Sequence, residues 1–382
     1  MTTKEPSIHE SGKKERNYFF DTFRGILIWM IPISHFTMVG GNFHQASFGG
    51  IVYVTINVFA MQAFVFLAGY FSKKPARARE TAFKTFLFPY LLLVPFFYGV
   101  RYFLNGAANL NWIVPPLALW YLVALFVYRF FLVDLIKIRR ILPLSIVLYL
   151  AAGQIPWLDT ELALGRMVSY FPFFMIGYFC TKEHIAKIQR LKAWHCVLLG
   201  VVLVAVNVAL AYSRIVPVGF YLLRSPAASL GISWYMDILM RIVDFILPCG
   251  WIILLMNILP RSKNYLSYVG RNTMAVYIPH LIVRPVVKKY SFPDPNMFVY
   301  YACIFGLASV CVVVFSSPPV SKAYNWFFDF LYEKGYGSLK RFVKWALALE
   351  PPARTAVYRK IWKRLINLIG LFFLRNLSKF VK

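Results

Sequence analysis

Between residues 17 and 318 the chain runs as long apolar stretches separated by short polar connections, the pattern of helices that cross a bilayer. Spans are predicted near 17–40, 48–72, 84–104, 114–134, 140–156, 165–180, 194–212, 234–258, 267–288 and 297–318, ten in all. The predicted fold class is an all-α polytopic membrane protein with a 17–318 bundle, a polar leader at 1–16 and a basic tail at 319–382. In that tail "LINLIGLFFL" at 365–374 is too short to span. Its basic flanks suit an amphipathic helix lying on the cytoplasmic leaflet, with a soluble partner-binding helix as the alternative.

Composition fits that pattern, since 59% of the 382 residues are hydrophobic and 18% aromatic, far from the average soluble domain. The formal charge of +27 then acquires a location. Connections at 41–47, 105–113 and 157–163 are poor in basic residues, whereas 72–84, 137–140, 181–192 and 260–264 are rich in them. The positive-inside rule places both termini in the cytoplasm, as an even number of spans requires. The charge therefore reports topology and calls for no nucleic-acid partner. Milder exceptions are the outer connections 213–233, with Arg214 and Arg224, and 289–296, with Lys289. The first apolar stretch lacks a cleavage pattern and is expected to be retained as a span. Five cysteines without short paired spacing read as free thiols.

Against this background the ionisable residues within spans stand out, because each is expensive in lipid and tends to face the bundle interior. Arg24 and His35 are eleven residues apart, about three turns and roughly 16 Å along one face of a helix. Asp21 lies at i,i+3 from Arg24, a spacing that permits an ion pair. Pro32, with no backbone donor, is a candidate for opening the helix near His35. Span nine adds Tyr277, His280 and Arg284, and span eight adds Asp237, Arg241 and Asp244 along one stripe. A polar cavity lined by spans one, eight and nine is expected. Structural pairing explains the carboxylates as well as chemistry does, and a polar core contact explains His280 and Arg284 equally well. Gly69 in "FLAGYFSK" suits a close helix approach. No nucleotide-binding loop, nucleophile elbow or metal-ligand cluster is present in the sequence.

The run "DTFRGILIWMIPISH" resembles the start of the acyltransferase family 3 membrane proteins, whose hallmark is an Arg and a His separated by ten residues on the first span. Those are Arg24 and His35 here. The order "FLAGYFSKK", "KTFLFPYLL", "WYLVALFVYR", "FPFFMIGYF", "GRNTMAVYIPHLIVR" is similar to the fucose 4-O-acetylase branch and extends the resemblance over roughly residues 17–315. Many members carry an Arg-rich sequence entering span three, where this chain has Arg77, Arg79 and Lys84 in looser spacing. The resemblance implies O-acyl transfer, commonly of acetyl, from cytoplasmic acyl-CoA to a hydroxyl of a cell-surface glycan or its lipid-linked precursor. The setting implied is the bacterial cytoplasmic membrane, with acetyl-CoA or another acyl-CoA as co-substrate and no resident cofactor or metal. His35 would act as general base, Arg24 would bind the donor or polarise its thioester, and Asp21 would hold the guanidinium. Arg77, Arg79 and Lys84 are the donor-binding candidates; His280, Arg284, Tyr277, Asp237 and Arg241 are the acceptor-binding candidates. A transporter or flippase for a lipid-linked sugar, using the same buried stripe, is the alternative.

Overall fold

The computed structural model describes residues 17–158, 161–292 and 296–348, which contain helices and no strand. The leader 1–16 and the 365–374 stretch lie outside the described residues. In chain order the helices are α1 (Tyr18–Val39), α2 (Phe48–Tyr70), α3 (Pro75–Ala82), α4 (Phe88–Asn105), α5 (Trp120–Leu135), α6 (Ile141–Ala152) and α7 (Leu164–Phe179). They continue with α8 (Lys182–Ile188), α9 (Ala193–Ser213), α10 (Trp234–Ile258), α11 (Tyr265–Arg271), α12 (Thr273–Tyr290), α13 (Met297–Ser316) and α14 (Pro318–Ala348). A π-helical segment, Phe83–Leu87, joins α3 to α4.

Among the described residues, seven helical segments are long and apolar enough to cross a membrane: α1, α2, the Pro75–Asn105 run, Glu161–Phe179, α9, α10 and α13. The other three predicted spans form shorter or more polar helices, for local reasons. Pro115 and Pro116 exclude regular helix from 114–119, so α5 begins only at Trp120 and has 16 residues. The 140–156 segment stops after 12 residues at Gly153, with Pro156 beyond it. The 267–288 segment is split at Asn272, whose side-chain amide donates to the Tyr268 carbonyl at 3.1 Å, leaving α11 and α12 as separate helices. Pro32, by contrast, does not interrupt α1, which runs unbroken from Tyr18 to Val39.

Hydrogen bonds between loops define two ends of the bundle. At one end Lys73 donates to the Cys180 carbonyl at 2.6 Å, Arg79 pairs with Asp134, Gln189 donates to the Met256 carbonyl at 3.2 Å and Asn264 donates to Thr22 at 3.0 Å. Those contacts gather all four basic connections on a single basic face. At the far face Gln45 donates to the Val216 carbonyl at 2.8 Å, Leu162 N to Ile113 O at 2.7 Å, Ala227 N to Gly153 O at 2.8 Å and Phe292 N to Gly40 O at 2.8 Å. The chain thus sorts its connections by charge onto opposite ends. The helix α14, the start of the basic tail, docks on the bundle: Tyr324 and Phe328 pack against the core and Lys84 pairs with Asp329 at 2.8 Å.

Two helix crossings are close enough to touch backbone to backbone. Gly69 of α2 faces the Phe174 carbonyl of α7, and Gly177 of α7 faces the Phe66 carbonyl of α2, so each helix supplies the glycine that admits the other. Gly25 of α1 against Leu266 and Gly270 of α11 against Asp21 repeat the arrangement. Between apolar helices in lipid, such contact supplies association that hydrophobic burial does not. Gly177→Leu is therefore expected to abolish a monodisperse, heat-cooperative protein in detergent, because the colliding partner is backbone. Gly306→Leu, where a side chain meets open space, is expected to keep the wild-type melting temperature; paired melting curves make the check.

Candidate functional site

A cavity of about 350 Å³ lies towards the far face, between α1, α2, α4, α5, α7 and α12 and the loops at 114–118 and 222–224. His35 lines it, with Ser34 one residue before and Tyr53 and Asn57 across from it on α2. Asn57 donates to Ser34 Oγ at 2.7 Å, which fixes the α1–α2 wall. Tyr277 and Arg284 of α12 also line the cavity, and the Tyr277 hydroxyl is tied to the Ala118 carbonyl. Three further arginines complete the lining: Arg101 at the end of α4, Arg166 at the start of α7 and Arg224 in the loop before α10. No Asp or Glu is among the lining residues.

His280 stands directly behind His35, fully buried, with its Nε2 3.2 Å from His35 Nδ1 and its Nδ1 3.1 Å from the Val276 carbonyl. This chain of contacts determines the tautomers. A carbonyl oxygen only accepts, so His280 Nδ1 donates, and in the neutral ring its Nε2 must accept. His35 Nδ1 then donates, which leaves His35 Nε2 with a free lone pair. A backbone carbonyl one turn back on α12 thereby turns His35 into an acceptor of protons at its outer nitrogen.

The second site feature is an open depression on the basic face, about 640 Å³, lined by Lys73, Lys74, Arg77, Arg129 and Lys182 with Thr81 and Thr85. Arg24 borders it: its guanidinium pairs with the buried Asp21 and sits 5.4 Å from the ring centroid of Phe71, itself a lining residue. Two donors remain unsatisfied here among the described residues, Arg24 Nε and Arg129 Nε. Of the predicted donor-binding residues, Arg77 faces this depression. Arg79 is instead spent on Asp134 and the Phe130 carbonyl at 2.6 Å, and Lys84 on Asp329. Between the two openings lies a layer of Phe64, Tyr121 and Tyr277, with ring centroids 6.3 and 5.8 Å apart.

Asp237 and Arg241 do not line either opening. They form an ion pair at 3.0 Å, with side chains 1% and 2% exposed. Gln154 donates to Asp237 at 2.7 Å, Arg241 donates to the Tyr149 carbonyl and Ser169 at 3.2 Å each, and Tyr149 donates to Asp244 at 3.0 Å. The network sits behind the cavity wall, where α6, α7 and α10 meet. So α10 does not contribute to the lining, and the expected three-span cavity is built from α1 and α12 with α2, α4, α5 and α7. Spacing alone does not single out Arg101, Arg166 and Arg224, which come from three distant segments. The available signal is their side: each is a basic residue at an end of the bundle whose connections are otherwise poor in them. Lys73, Lys74, Arg129 and Lys182 are hidden the opposite way, among many basic residues on the basic face.

The apolar helical bundle thus presents an imidazole at one opening and a cationic depression at the other. Residues 17–317 match the family model described as an acyltransferase domain, and the chain belongs to acyltransferase family 3. No curated protein and no solved structure matches the chain.

The tautomer assignment is testable without substrate. In ¹⁵N spectra of histidine-labelled protein at neutral pH, the resonance pair lost in His35→Ala is expected to report a protonated Nδ1 and an unprotonated Nε2. His280→Ala should remove the acceptor and shift the His35 signals towards the Nε2–H form.

Proposed function

We propose that this membrane acyltransferase performs O-acyl transfer, from acyl-CoA bound at the basic face to a hydroxyl presented in the far-face cavity. The observation that carries the reading is the His280–His35 chain, which leaves a basic nitrogen facing a cavity on the opposite side from a phosphate-compatible depression. By the positive-inside rule the basic face is cytoplasmic, the chain passes ten times with both termini inside, and the far face is extracytoplasmic. A bacterial cytoplasmic membrane is the setting, acetyl the expected acyl group and a surface glycan or its lipid-linked precursor the acceptor, as the likeness to fucose 4-O-acetylases favours.

His35 Nε2 takes the proton of the acceptor hydroxyl as its oxygen attacks the thioester carbonyl. The new C–O ester bond forms, the C–S bond breaks, and the imidazolium returns the proton to the departing sulfur. The charge created on His35 is shared through Nδ1–H with His280 Nε2. Arg24, about three turns from His35 and roughly 16 Å lower, does not reach the same carbonyl. Its role is to hold the donor, with its unsatisfied Nε and with Asp21 orienting the fork. Arg77 and Arg129 supply further charge for the anionic CoA, whose pantetheine arm has to pass the Phe64–Tyr121–Tyr277 layer.

Purified full-length protein in detergent, given acetyl-CoA, is the test. His35→Ala is expected to keep donor affinity and lose about 10²–10⁴-fold in acetyl turnover. Retention of more than a tenth of the rate would remove His35 as the base. Arg24→Lys should weaken donor binding although charge is kept, because the planar fork is lost. Arg77→Gln is expected to weaken it more than Arg79→Gln, whose side chain is already engaged. Absence of acetyl-CoA binding in folded wild-type protein would favour a carrier for a lipid-linked sugar, which needs the same two openings but no thioester.

A further inference from the structure

The far-face cavity is unusual in its charge. Arg101, Arg166, Arg224 and Arg284 line it without a lysine or a carboxylate among the lining residues, and none of the four makes an ion pair among the described residues. They are close enough to act on one another: Arg284 with Arg101 and Arg224, and Arg166 with Arg224. Gathering like charges beside a low-dielectric bundle is unfavourable unless an anion joins them. Arg166 is moreover fixed in place, with its guanidinium 4.8 Å from the Trp120 ring centroid and its Nε donating to the Leu222 carbonyl at 3.2 Å. The basic-face depression differs, with lysines for three of its five cations. Guanidinium, planar and many-donored, is the group that matches phosphate oxygens in pairs.

Resting on the acyl-transfer reading, we infer that the acceptor is a phosphate-bearing glycan. The four arginines hold its phosphodiester or diphosphate while His35 faces a neighbouring hydroxyl. The volume of about 350 Å³ is at the small end of ligand pockets, roughly 300–1,000 Å³. It suits one sugar residue and its phosphate, with the remainder of the polymer or lipid carrier outside. The arginines thus select the acceptor by charge and also orient it, because they and His35 line the same cavity. A phosphate source that is a lipid-linked sugar and one that is a finished polymer share this chemistry.

The test is equilibrium binding to the full chain in detergent, with glucose 1-phosphate, inorganic pyrophosphate and unmodified glucose as probes. The two phosphates are expected to bind and glucose not to bind measurably. Arg224→Gln, at an exposed loop position, and Arg166→Gln should each weaken glucose 1-phosphate by roughly tenfold, the scale of a lost charge-assisted hydrogen bond. Arg214→Gln, outside the cavity lining, should leave it unchanged. Failure of both phosphates to bind, or weakening by Arg77→Gln in place of Arg224→Gln, would overturn the assignment. Displacement of glucose 1-phosphate by phosphatidylglycerol in nanodiscs, but not by farnesyl diphosphate, would make the site a phospholipid contact and overturn it too; the reverse supports a lipid-linked acceptor. Acetyl-CoA binding measured on the same samples separates the two levels. Donor binding without phosphate binding sinks this inference alone, whereas phosphate binding without donor binding sinks acyl transfer.

Discussion

An ionised side chain at bilayer depth costs at least about 2.5 kcal/mol on insertion scales, and this chain meets that constraint in two distinct ways. Asp237 and Arg241 are enclosed together, with Gln154, Ser169 and Tyr149 taking up remaining donors and acceptors, so their charges are internally balanced. Arg24 is half-way to that condition, paired with Asp21 yet keeping an unsatisfied Nε at the edge of the basic depression. The four far-face arginines, Arg101 and Arg224 exposed and Arg166 and Arg284 partly buried, line one cavity that has no carboxylate among its lining residues. Where a charge inside the bundle is already neutralised, a structural account is complete; guanidinium groups gathered in a cavity without a carboxylate instead leave room for an anion, the basis of the acceptor proposed above. That criterion divides residues of similar sequence character into scaffold and site.

The scaffold that holds this division is set by backbone contact. Glycines at Gly69 and Gly177 press α2 against α7, and those at Gly25 and Gly270 press α11 against α1. The first pair fixes the helices that carry Tyr53, Asn57, Arg166 and Tyr170 into the cavity. The second locks the start of α1, where Asp21 and Arg24 reside, to the short helix that precedes α12. Because α12 carries Val276 and His280, the α11–α12 break and the α1 crossing together bring His280 behind His35. A one-turn slip of α12 would move the Val276 carbonyl and His280 by about 5.4 Å and dissolve the chain of tautomers.

Much of this was legible along the chain, and the reason is helical geometry. Arg24, His35 and Asp21 share a face because eleven and three residues translate directly into angle and rise, and the Asp237–Arg241 pair follows from an i,i+4 interval. The same intervals say nothing about which neighbour a face meets. Spacing alone therefore assigns Asp237 and Arg241 to the cavity, whereas contacts from α6 and α7 enclose them. Arg101, Arg166 and Arg224 are joined only by tertiary packing, across segments 58 to 123 positions apart, and no local spacing brings them together. Helix limits were legible wherever hydrophobicity alone decides, and less so at Pro115–Pro116, Gly153 and Asn272, where backbone chemistry ends or splits an apolar run.

The two openings also explain why the imidazole is prepared as it is. On the proposed acyl-transfer reading, a donor from one side and a hydroxyl from the other would meet beside the aromatic layer of Phe64, Tyr121 and Tyr277. Without a fixed neighbour, the His35 ring could exchange which nitrogen carries its proton. Fixing His280 by a main-chain carbonyl, which has no proton to give, removes that freedom in advance. His35 is thus oriented by the backbone of α12, the helix that also supplies Tyr277 and Arg284 to the cavity. One helix therefore sets the His35 tautomer and supplies part of the cavity's charge, so a movement of α12 would alter the two together.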